Sequence, residues 1–280
     1  MRIIEAEEIT AAVARLLQQA CTELPEDVVE ALQAARMREM QPLAQTLVDM
    51  LIKNAEIAKR DRIPICQDTG VANVFVELGA EVHIAGAALD EAVNEGIRRG
   101  TREGYLRCSM VRDPLRRGNT GDNTPGTLYI FPVPGTTVRI HVAPKGAGCE
   151  NMSRSTMLIP ADGREGVVRF VVEAVQKGGA NHCPPVVVGV GLGGDFAWST
   201  VLAKKALLRR IGERHPDELY AALENELREK INALGLGPQA LGGLTTALDV
   251  FVEAAPCHIA SLPVAVCINC NAARHATAEL

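Results

Sequence analysis

The chain has 280 residues, of which 47% are hydrophobic, 22% charged and 3% aromatic, and its formal net charge is −5. This length suits one large domain or two compact lobes, and the acidic balance lacks the basic face typical of nucleic-acid binding. No apolar run is as long as a membrane span, and Met1 leads into an acidic amphipathic segment rather than a secretory signal. We therefore expect a cytoplasmic protein that binds neither nucleic acid nor membrane.

The first 60 residues predict helices, because apolar residues recur at helical spacing in three successive segments. These segments are residues 6–21, 25–37 and 42–60. A short polar break that contains a cysteine follows at residues 62–70. Beyond it, the pattern predicts a strand at residues 71–78 and a helix at residues 87–102.

The middle of the chain carries more strand signal. Two β-rich runs, residues 127–133 and 137–143, are joined by Pro134 and Gly135 and predict a hairpin, whereas the polar stretch 116–125 before them predicts a loop. The later pattern predicts helices at 164–178, 195–210 and 216–234, and strands at 185–192, 246–253 and 263–268. We expect an α+β fold with mixed β-sheets flanked by helices, in a single domain over residues 1–280 or in two lobes.

Eight cysteines in a reducing compartment do not predict a disulfide framework. Four of the cysteine-bearing segments lie at predicted loops or strand ends, where thiolates suit zinc or an iron–sulfur cluster. Only Cys267 and Cys270 form a C-x-x-C pair, so the two close couples of a structural zinc site are missing. No helix clearly begins at Cys267, which weakens a thioredoxin-type interpretation. Widely separated single cysteines fit a cluster that the fold itself holds.

Six ordered motifs resemble those of the alpha subunits of two-subunit class I fumarases and of the related L-tartrate dehydratases, over nearly the whole chain. The motifs are Ile65-Cys66-Gln67-Asp68-Thr69-Gly70, Leu106-Arg107 with Asp113-Pro114-Leu115, Asn123-Thr124-Pro125-Gly126, Lys145-Gly146-Ala147-Gly148 with Glu150-Asn151, Cys183-Pro184-Pro185, and a last stretch from His258-Ile259-Ala260-Ser261 to Cys270-Asn271-Ala272-Ala273-Arg274-His275. The resemblance implies a 4Fe–4S cluster with Cys66, Cys183 and Cys270 as ligands. One iron without a protein ligand would act as a Lewis acid on the substrate hydroxyl.

The resemblance also implies the residues that contact a C4 dicarboxylate substrate. Arg107 would grip a carboxylate in two places, although a surface salt bridge is the alternative. Gln67 and Asp68 would contact the substrate, with Asp68 also a candidate catalytic residue; capping a turn is its alternative. The backbone of Gly146 and Gly148 would approach the anion, unless this loop is an ordinary tight turn.

His258 matches a family histidine near the substrate and is the other candidate catalytic residue, for binding a carboxylate or moving a proton. A satisfied structural histidine is its alternative.

The remaining cysteines are interpreted as non-ligands. Cys267 fits a packed strand residue, and Cys149 lies in a glycine-rich loop. Cys21, Cys108 and Cys257 are interpreted as packing residues.

The expected function is that of the alpha subunit of a hydro-lyase that interconverts (S)-malate with fumarate and water. L-tartrate or a methylated fumarate is the alternative substrate, because the same motifs serve each. A separate beta subunit would complete the active site and supply the base, in a dimer of alpha–beta pairs. The alternatives from other classes are an iron–sulfur or zinc scaffold subunit and a thiol-redox protein.

Overall fold

The computed structural model describes residues Met1–Leu280, and the chain divides into two compact units. Unit 1 comprises Met1–Pro25, Ala55–Ala147 and Arg274–Leu280, and unit 2 comprises Glu26–Asn54 and Gly148–Ala273. Each unit has its own four-stranded sheet and its own buried aliphatic core. The α+β fold with mixed sheets flanked by helices is confirmed. No helix combines the length and the apolar composition that crossing a bilayer requires.

The elements follow one another along the chain, and the longest connection, residues 104–126, lies between the fourth helix and the fourth strand. The strands are β1 (Arg2–Glu5), β2 (Val71–Gly79), β3 (Val82–Ala85), β4 (Thr127–Val133), β5 (Val138–Lys145), β6 (Arg154–Leu158), β7 (Val186–Gly194), β8 (Ala247–Cys257), β9 (Leu262–Asn269) and β10 (Ala276–Glu279). The helices are α1 (Ala6–Thr22), α2 (Glu26–Arg38), α3 (Pro42–Asp61), α4 (Leu89–Glu103), α5 (Ala147–Glu150), α6 (Gly163–Gly178), α7 (Phe196–Ala206) and α8 (Glu218–Asn232). The predicted helices α1–α3 are confirmed.

Helix α1 forms the centre of unit 1. Its apolar face is buried against β5, and Glu8 accepts a hydrogen bond from the backbone N–H of Glu5 at its first turn, 3.0 Å away. Helix α4 crosses α1 so closely that a Cβ at Gly96 would lie 2.7 Å from the Thr10 carbonyl oxygen. Glycine at this crossing therefore lets the two helices pack backbone to backbone.

The predicted hairpin between β4 and β5 is wrong. Both strands pair with β2, β4 in parallel and β5 antiparallel, so that β2 lies between them in the order β10-β5-β2-β4. Pro134 and Gly135 belong to a connection that passes over the end of β2, where Gly79 donates to Thr137 and Ala80 donates to Val133. Pro134 and Gly135 do connect β4 to β5, but the two strands are not neighbours, because β2 lies between them.

The sheet of unit 2 has the order β6-β9-β7-β8, with β7 parallel to β8 and antiparallel to β9. Helix α7 packs so closely on β7 that a Cβ at Gly189 or Gly191 would overlap carbonyl oxygens of α7. The pairing places the start of β7 beside the end of β9, and the end of β7 beside the end of β8. The two opposite ends of these strands carry different parts of the predicted site.

A buried carboxylate holds the loop that runs from Gly237 to Thr245 in unit 2. Glu39 is 2% exposed and accepts hydrogen bonds from the backbone N–H groups of Leu244 (2.9 Å) and Thr245 (2.7 Å). From the same loop, Gln239 donates its backbone and side-chain N–H groups to the carbonyl of Pro184, beside Cys183. Glu39 thus supports one of the predicted ligand loops from behind.

Replacement of Glu39 tests this support. Glu39→Ala leaves the N–H groups of Leu244 and of the buried Thr245 without their acceptor, so we expect the free energy of unfolding in urea to fall by about 2 kcal/mol. The matched control is Glu30→Ala, an exposed position in the preceding helix, which is expected to change it by less than about 0.5 kcal/mol. Equal effects of the two substitutions would contradict a supporting role for Glu39.

Candidate metal and substrate site

The structure brings two of the three predicted cluster ligands together in unit 2. Cys183 follows a 3-10 turn (Gly179–His182) and has a left-handed backbone, with φ of 49°. Cys270 directly follows the last residue of β9. Asn271 joins the two loops, because its backbone N (3.1 Å) and its Nδ2 (2.8 Å) both donate to the carbonyl of Cys183. The Cys183 thiol is exposed and that of Cys270 is partly buried.

His182 anchors the Cys183 loop from the protein interior. Its ring is fully buried, and Nε2 contacts the carbonyl of Val175 at 2.9 Å in helix α6. A Cβ at Gly178 would overlap this ring, so only glycine leaves room for it. Burial lowers the pKa of His182, and the neutral ring with its proton on Nε2 is the form that fits this bond. The sequence analysis assigned no role to this residue.

The third predicted ligand, Cys66, lies in unit 1. Its loop is fixed at the start by Ile65, which donates to the carbonyl of Cys21 at 2.9 Å. The backbone N–H of Asp68 points to the Cys66 sulfur at 3.4 Å. At the end of the loop, the Thr69 hydroxyl donates to the carbonyl of Arg107 at 2.9 Å. The partly buried sulfur thus sits in a loop whose backbone is tied to two other segments.

The Asp68 carboxylate organises the predicted substrate residues of unit 1. One oxygen accepts from Gly70 N (3.1 Å) and Arg107 Nη2 (3.2 Å), and the other accepts from Ala147 N (2.8 Å). Gly146 is packed against it, since a Cβ there would lie 3.2 Å from Asp68 Oδ2. The structure therefore brings Asp68, Arg107 and Gly146 together. Asp68 also closes a turn onto Gly70, as its turn-cap alternative predicts, and its contact with a substrate stays a prediction.

Arg107 and Gln67 present side chains that a ligand can reach. The Arg107 side chain is 57% exposed, and only one of its terminal nitrogens is bonded to Asp68. Gln67 is exposed, and its Oε1 lies 3.4 Å from the Cys66 sulfur. A guanidinium with free donors beside an amide and a thiol is suited to an anionic, oxygen-rich ligand.

Asn123 is a further residue of this site that sequence reasoning left without a role. It is 1% exposed, its Oδ1 accepts from Ser109 N (2.8 Å), and its Nδ2 donates to the Gly70 carbonyl (3.1 Å). It thereby ties the Arg107 segment to the Cys66–Gly70 loop. The polar stretch 116–125 is a loop as predicted, and the signal for Asn123 was its place in the motif before Thr124.

Arg274 is the second such residue. It is 5% exposed, its Nη2 donates to the carbonyl of Asp68, and its Nε donates to that of Pro144 at 3.4 Å. Its Nη1 is buried without a hydrogen-bond partner. Only its position in the Cys270–His275 motif marked it in the sequence.

Gly148 and Lys145 lie on either side of Gly146. Gly148 is in unit 2, where a Cβ would lie 3.3 Å from the Asn181 carbonyl oxygen. Lys145 ends strand β5 and is 7% exposed. Lys145 is therefore a buried residue at a strand end and not a solvated loop charge.

The structure does not bring His258 together with Cys183 and Cys270. It lies in the turn between β8 and β9, is exposed, and accepts from Ala260 N through Nδ1 at 3.2 Å. Cys270 follows the opposite end of β9, and eight residues of strand span about 25 Å. Within one copy of unit 2, the predicted catalytic histidine and the two cysteines lie at opposite ends of the strands.

The other cysteines fall into two groups. Cys21, Cys149 and Cys267 are buried, as packing residues are expected to be. Burial raises the pKa of the Cys21 thiol to about 11, although Arg274 opposes the rise. Cys257 is exposed and Cys108 is partly exposed, so packing does not explain Cys257.

The donor chemistry of the three predicted ligands fits an iron–sulfur cluster. No three His, Cys, Asp or Glu side chains are grouped closely enough to bind a single metal ion. A cluster has a different requirement, because each thiolate binds a different iron and the thiolates are spread around it. Arg274, whose Nη1 is buried and unpartnered, adds a positive group beside the Cys66 loop, because its Nη2 donates to the carbonyl of Asp68, two residues after Cys66.

Comparison with known proteins gives consistent matches. The family model described as fumarate hydratase (Fumerase) matches residues 10–279. A putative L(+)-tartrate dehydratase subunit alpha from Methanocaldococcus jannaschii is 45% identical over 275 residues, covering 96% of each chain. The L(+)-tartrate dehydratase subunit alpha from Escherichia coli (strain K12) is 34% identical over 273 residues, covering 96% of this chain and 90% of its own.

The link between the two cysteine loops of unit 2 can be tested without any cofactor. Asn271→Ala removes the side-chain bond to Cys183 and should lower the local opening free energy by about 1 kcal/mol. Amide hydrogen exchange in peptides that contain Cys183 should accelerate about fivefold. Asn151→Ala, at an exposed asparagine of the same unit, is the control and should leave this exchange unchanged. Unaltered exchange in Asn271→Ala would show that the loops are held by other contacts.

Proposed function

Because the chain belongs to the fumarate hydratase family and is a hydro-lyase, we propose that it is the alpha subunit of an L(+)-tartrate dehydratase. The observation that carries the substrate assignment is the match, over 96% of both chains, to a relative named for tartrate. The malate–fumarate pair expected from the motifs is the second candidate, supported by the family description. The scaffold and thiol-redox alternatives do not account for a hydro-lyase.

The proposal includes a 4Fe–4S cluster with Cys66, Cys183 and Cys270 as its thiolate ligands. When bound, such a cluster supplies a Lewis acid at the one iron that lacks a protein ligand. Cysteine thiols at loop ends, one of them exposed and two partly buried, support this assignment. Each of the three loops is fixed by backbone hydrogen bonds, which would limit the rearrangement needed on loading.

The side chains of unit 1 would bind and orient the dicarboxylate. Arg107 offers its remaining N–H donors to one carboxylate, while Asp68 holds the guanidinium in place. Gln67 adds an amide beside Cys66 that can donate to a substrate oxygen. With its carboxylate already used by three donors, Asp68 is better suited to positioning than to proton transfer, so the proposed base lies elsewhere.

A separate beta subunit is the proposed source of that base. Relatives over the same length are named as alpha subunits, which supports a partner for this chain as well. We further propose a dimer of alpha–beta pairs. This arrangement would also give His258 a route to the substrate, because strand β9 holds it about 25 Å from Cys270 of its own chain. His258 would then act in the site of the other alpha copy.

Cluster content and substrate are tested together. After anaerobic reconstitution, the wild-type chain should hold about four irons and four sulfides. Cys66→Ser, Cys183→Ser and Cys270→Ser should each lose them, and the exposed control Cys257→Ser should keep them. With the beta partner added, water elimination should be faster from L(+)-tartrate than from (S)-malate. Preference for malate would restore the second candidate, and wild type without iron would overturn the cluster.

The proposed role of His258 in the second copy is tested by complementation. His258→Asn and Cys270→Ser alpha chains should each be nearly inactive with the beta partner. Coexpressed, they can form mixed dimers in which one site combines an intact His258 with an intact Cys270. Activity should then recover to about a quarter of wild type, since half of randomly assorted dimers are mixed and each has one intact site. No recovery, with mixed dimers shown by mass spectrometry, would place His258 outside the reaction or in its own site.

A further inference from the structure

Arg274 holds a positive charge that is almost completely withdrawn from water. The residue is 5% exposed, and both of its hydrogen-bond partners are neutral carbonyl oxygens, those of Asp68 and Pro144. Its Nη1 group has no partner at all. A buried guanidinium is costly unless an anion and a full set of acceptors compensate it. The free donor therefore points to an anionic group that belongs to the working form of the protein.

The surroundings identify where this anion would be. Arg274 bonds to the carbonyl of Asp68, whose N–H points to the Cys66 sulfur at 3.4 Å. Cys21 lies against the same loop, since its carbonyl accepts from Ile65 N at 2.9 Å and its sulfur lies 3.9 Å from the Thr69 carbonyl oxygen. Arg274, Cys21 and Cys66 thus share one small region of unit 1. A neutral Cys66 thiol would not need a buried cation, but a metal-bound thiolate would.

We propose that Arg274 is the counter-charge and positioning residue on the Cys66 side of the site, with its Nη1 directed to the anionic thiolate cluster. This inference rests on the proposed function, because the anion is the cluster proposed there. A substrate carboxylate is the other anion that Nη1 would accept. Arg107 is 57% exposed and meets a ligand arriving from solvent, whereas Arg274 is buried behind the Asp68 backbone. Burial favours the resident anion.

Two substitutions of Arg274 and one control test the proposal on the full 280-residue chain. Arg274→Gln removes the charge, and Arg274→Lys keeps the charge but loses the planar guanidinium and its paired N–H donors. Arg139→Gln is the control, since Arg139 lies in strand β5 of the same unit and pairs with Glu77 and Glu279. The measurements are iron and sulfide per chain, resistance of the iron to a chelator, the cluster reduction potential, and the melting temperature of the apo form. The apparent affinity for L(+)-tartrate is measured with the beta partner added.

Arg274→Gln should lower the affinity for iron about 10- to 100-fold, as is typical when a group supporting a metal ligand is removed. Its reduction potential should fall, because reduction adds negative charge that Arg274 no longer stabilises. Arg274→Lys should keep the potential close to that of wild type while holding iron less firmly. If Arg274→Gln does not fold, Arg274→Lys still tests the proposal. Arg139→Gln should change neither property.

Three outcomes would overturn the proposal. An unchanged potential and iron affinity in Arg274→Gln would show that Nη1 faces no cluster. A lower apo melting temperature with cluster properties intact in the folded fraction would make Arg274 only structural. A weaker apparent affinity for L(+)-tartrate with an unchanged potential would identify the anion as the substrate carboxylate. If wild type itself binds no iron, the proposed cluster is wrong. If wild type binds iron and Arg274→Gln does so equally well, only the proposed role of Arg274 is wrong.

Discussion

The bonds around the Asp68 carboxylate are the interaction on which the substrate side of unit 1 depends. Its two oxygens collect the Arg107 guanidinium and the N–H groups of Gly70 and Ala147, three groups from separate stretches of the chain. Since Asp68 stands two residues after Cys66, the same short loop sets the position of a predicted metal ligand and of Arg107, the cation proposed to bind the substrate. Charge-assisted bonds of this kind fix direction as well as distance. The site is therefore organised before any ligand arrives.

In unit 2, neutral amide groups make the hydrogen bonds that hold the Cys183 loop. The carbonyl of Cys183 accepts two bonds from Asn271, and the next carbonyl, of Pro184, accepts two from Gln239. Behind them, His182 is locked into helix α6 and Glu39 fixes the loop that carries Gln239. A chain of supports thus runs from buried side chains to the exposed thiol. Such outer supports decide how firmly a metal ligand is held.

Sequence reasoning predicted the elements with a clear period and the site residues that stand in motifs. Helices α1–α3 and strands β7–β9 were found because their apolar spacing reports burial directly. The β4–β5 hairpin failed because a turn signal is local, whereas the insertion of β2 between two strands is decided by tertiary pairing. The same limit hid Arg274 and Asn123, whose importance lies in partners far along the chain. The separation of His258 from Cys270 was already contained in the sequence, because the strand predicted at residues 263–268 stands between them and is confirmed as β9.

The return of the chain to unit 1 at Arg274–Leu280 has a consequence for biosynthesis. Strand β10 pairs with β5, and Arg274 bonds to the Asp68 carbonyl across 206 residues of sequence. While the ribosome is still translating the preceding segment, the Cys66 loop lacks this bond and the sheet lacks its edge strand. The nascent chain therefore cannot present the finished Cys66 environment. The proposed cluster would therefore acquire its complete Cys66 surroundings only after Arg274 has been synthesised and has bonded to the Asp68 carbonyl.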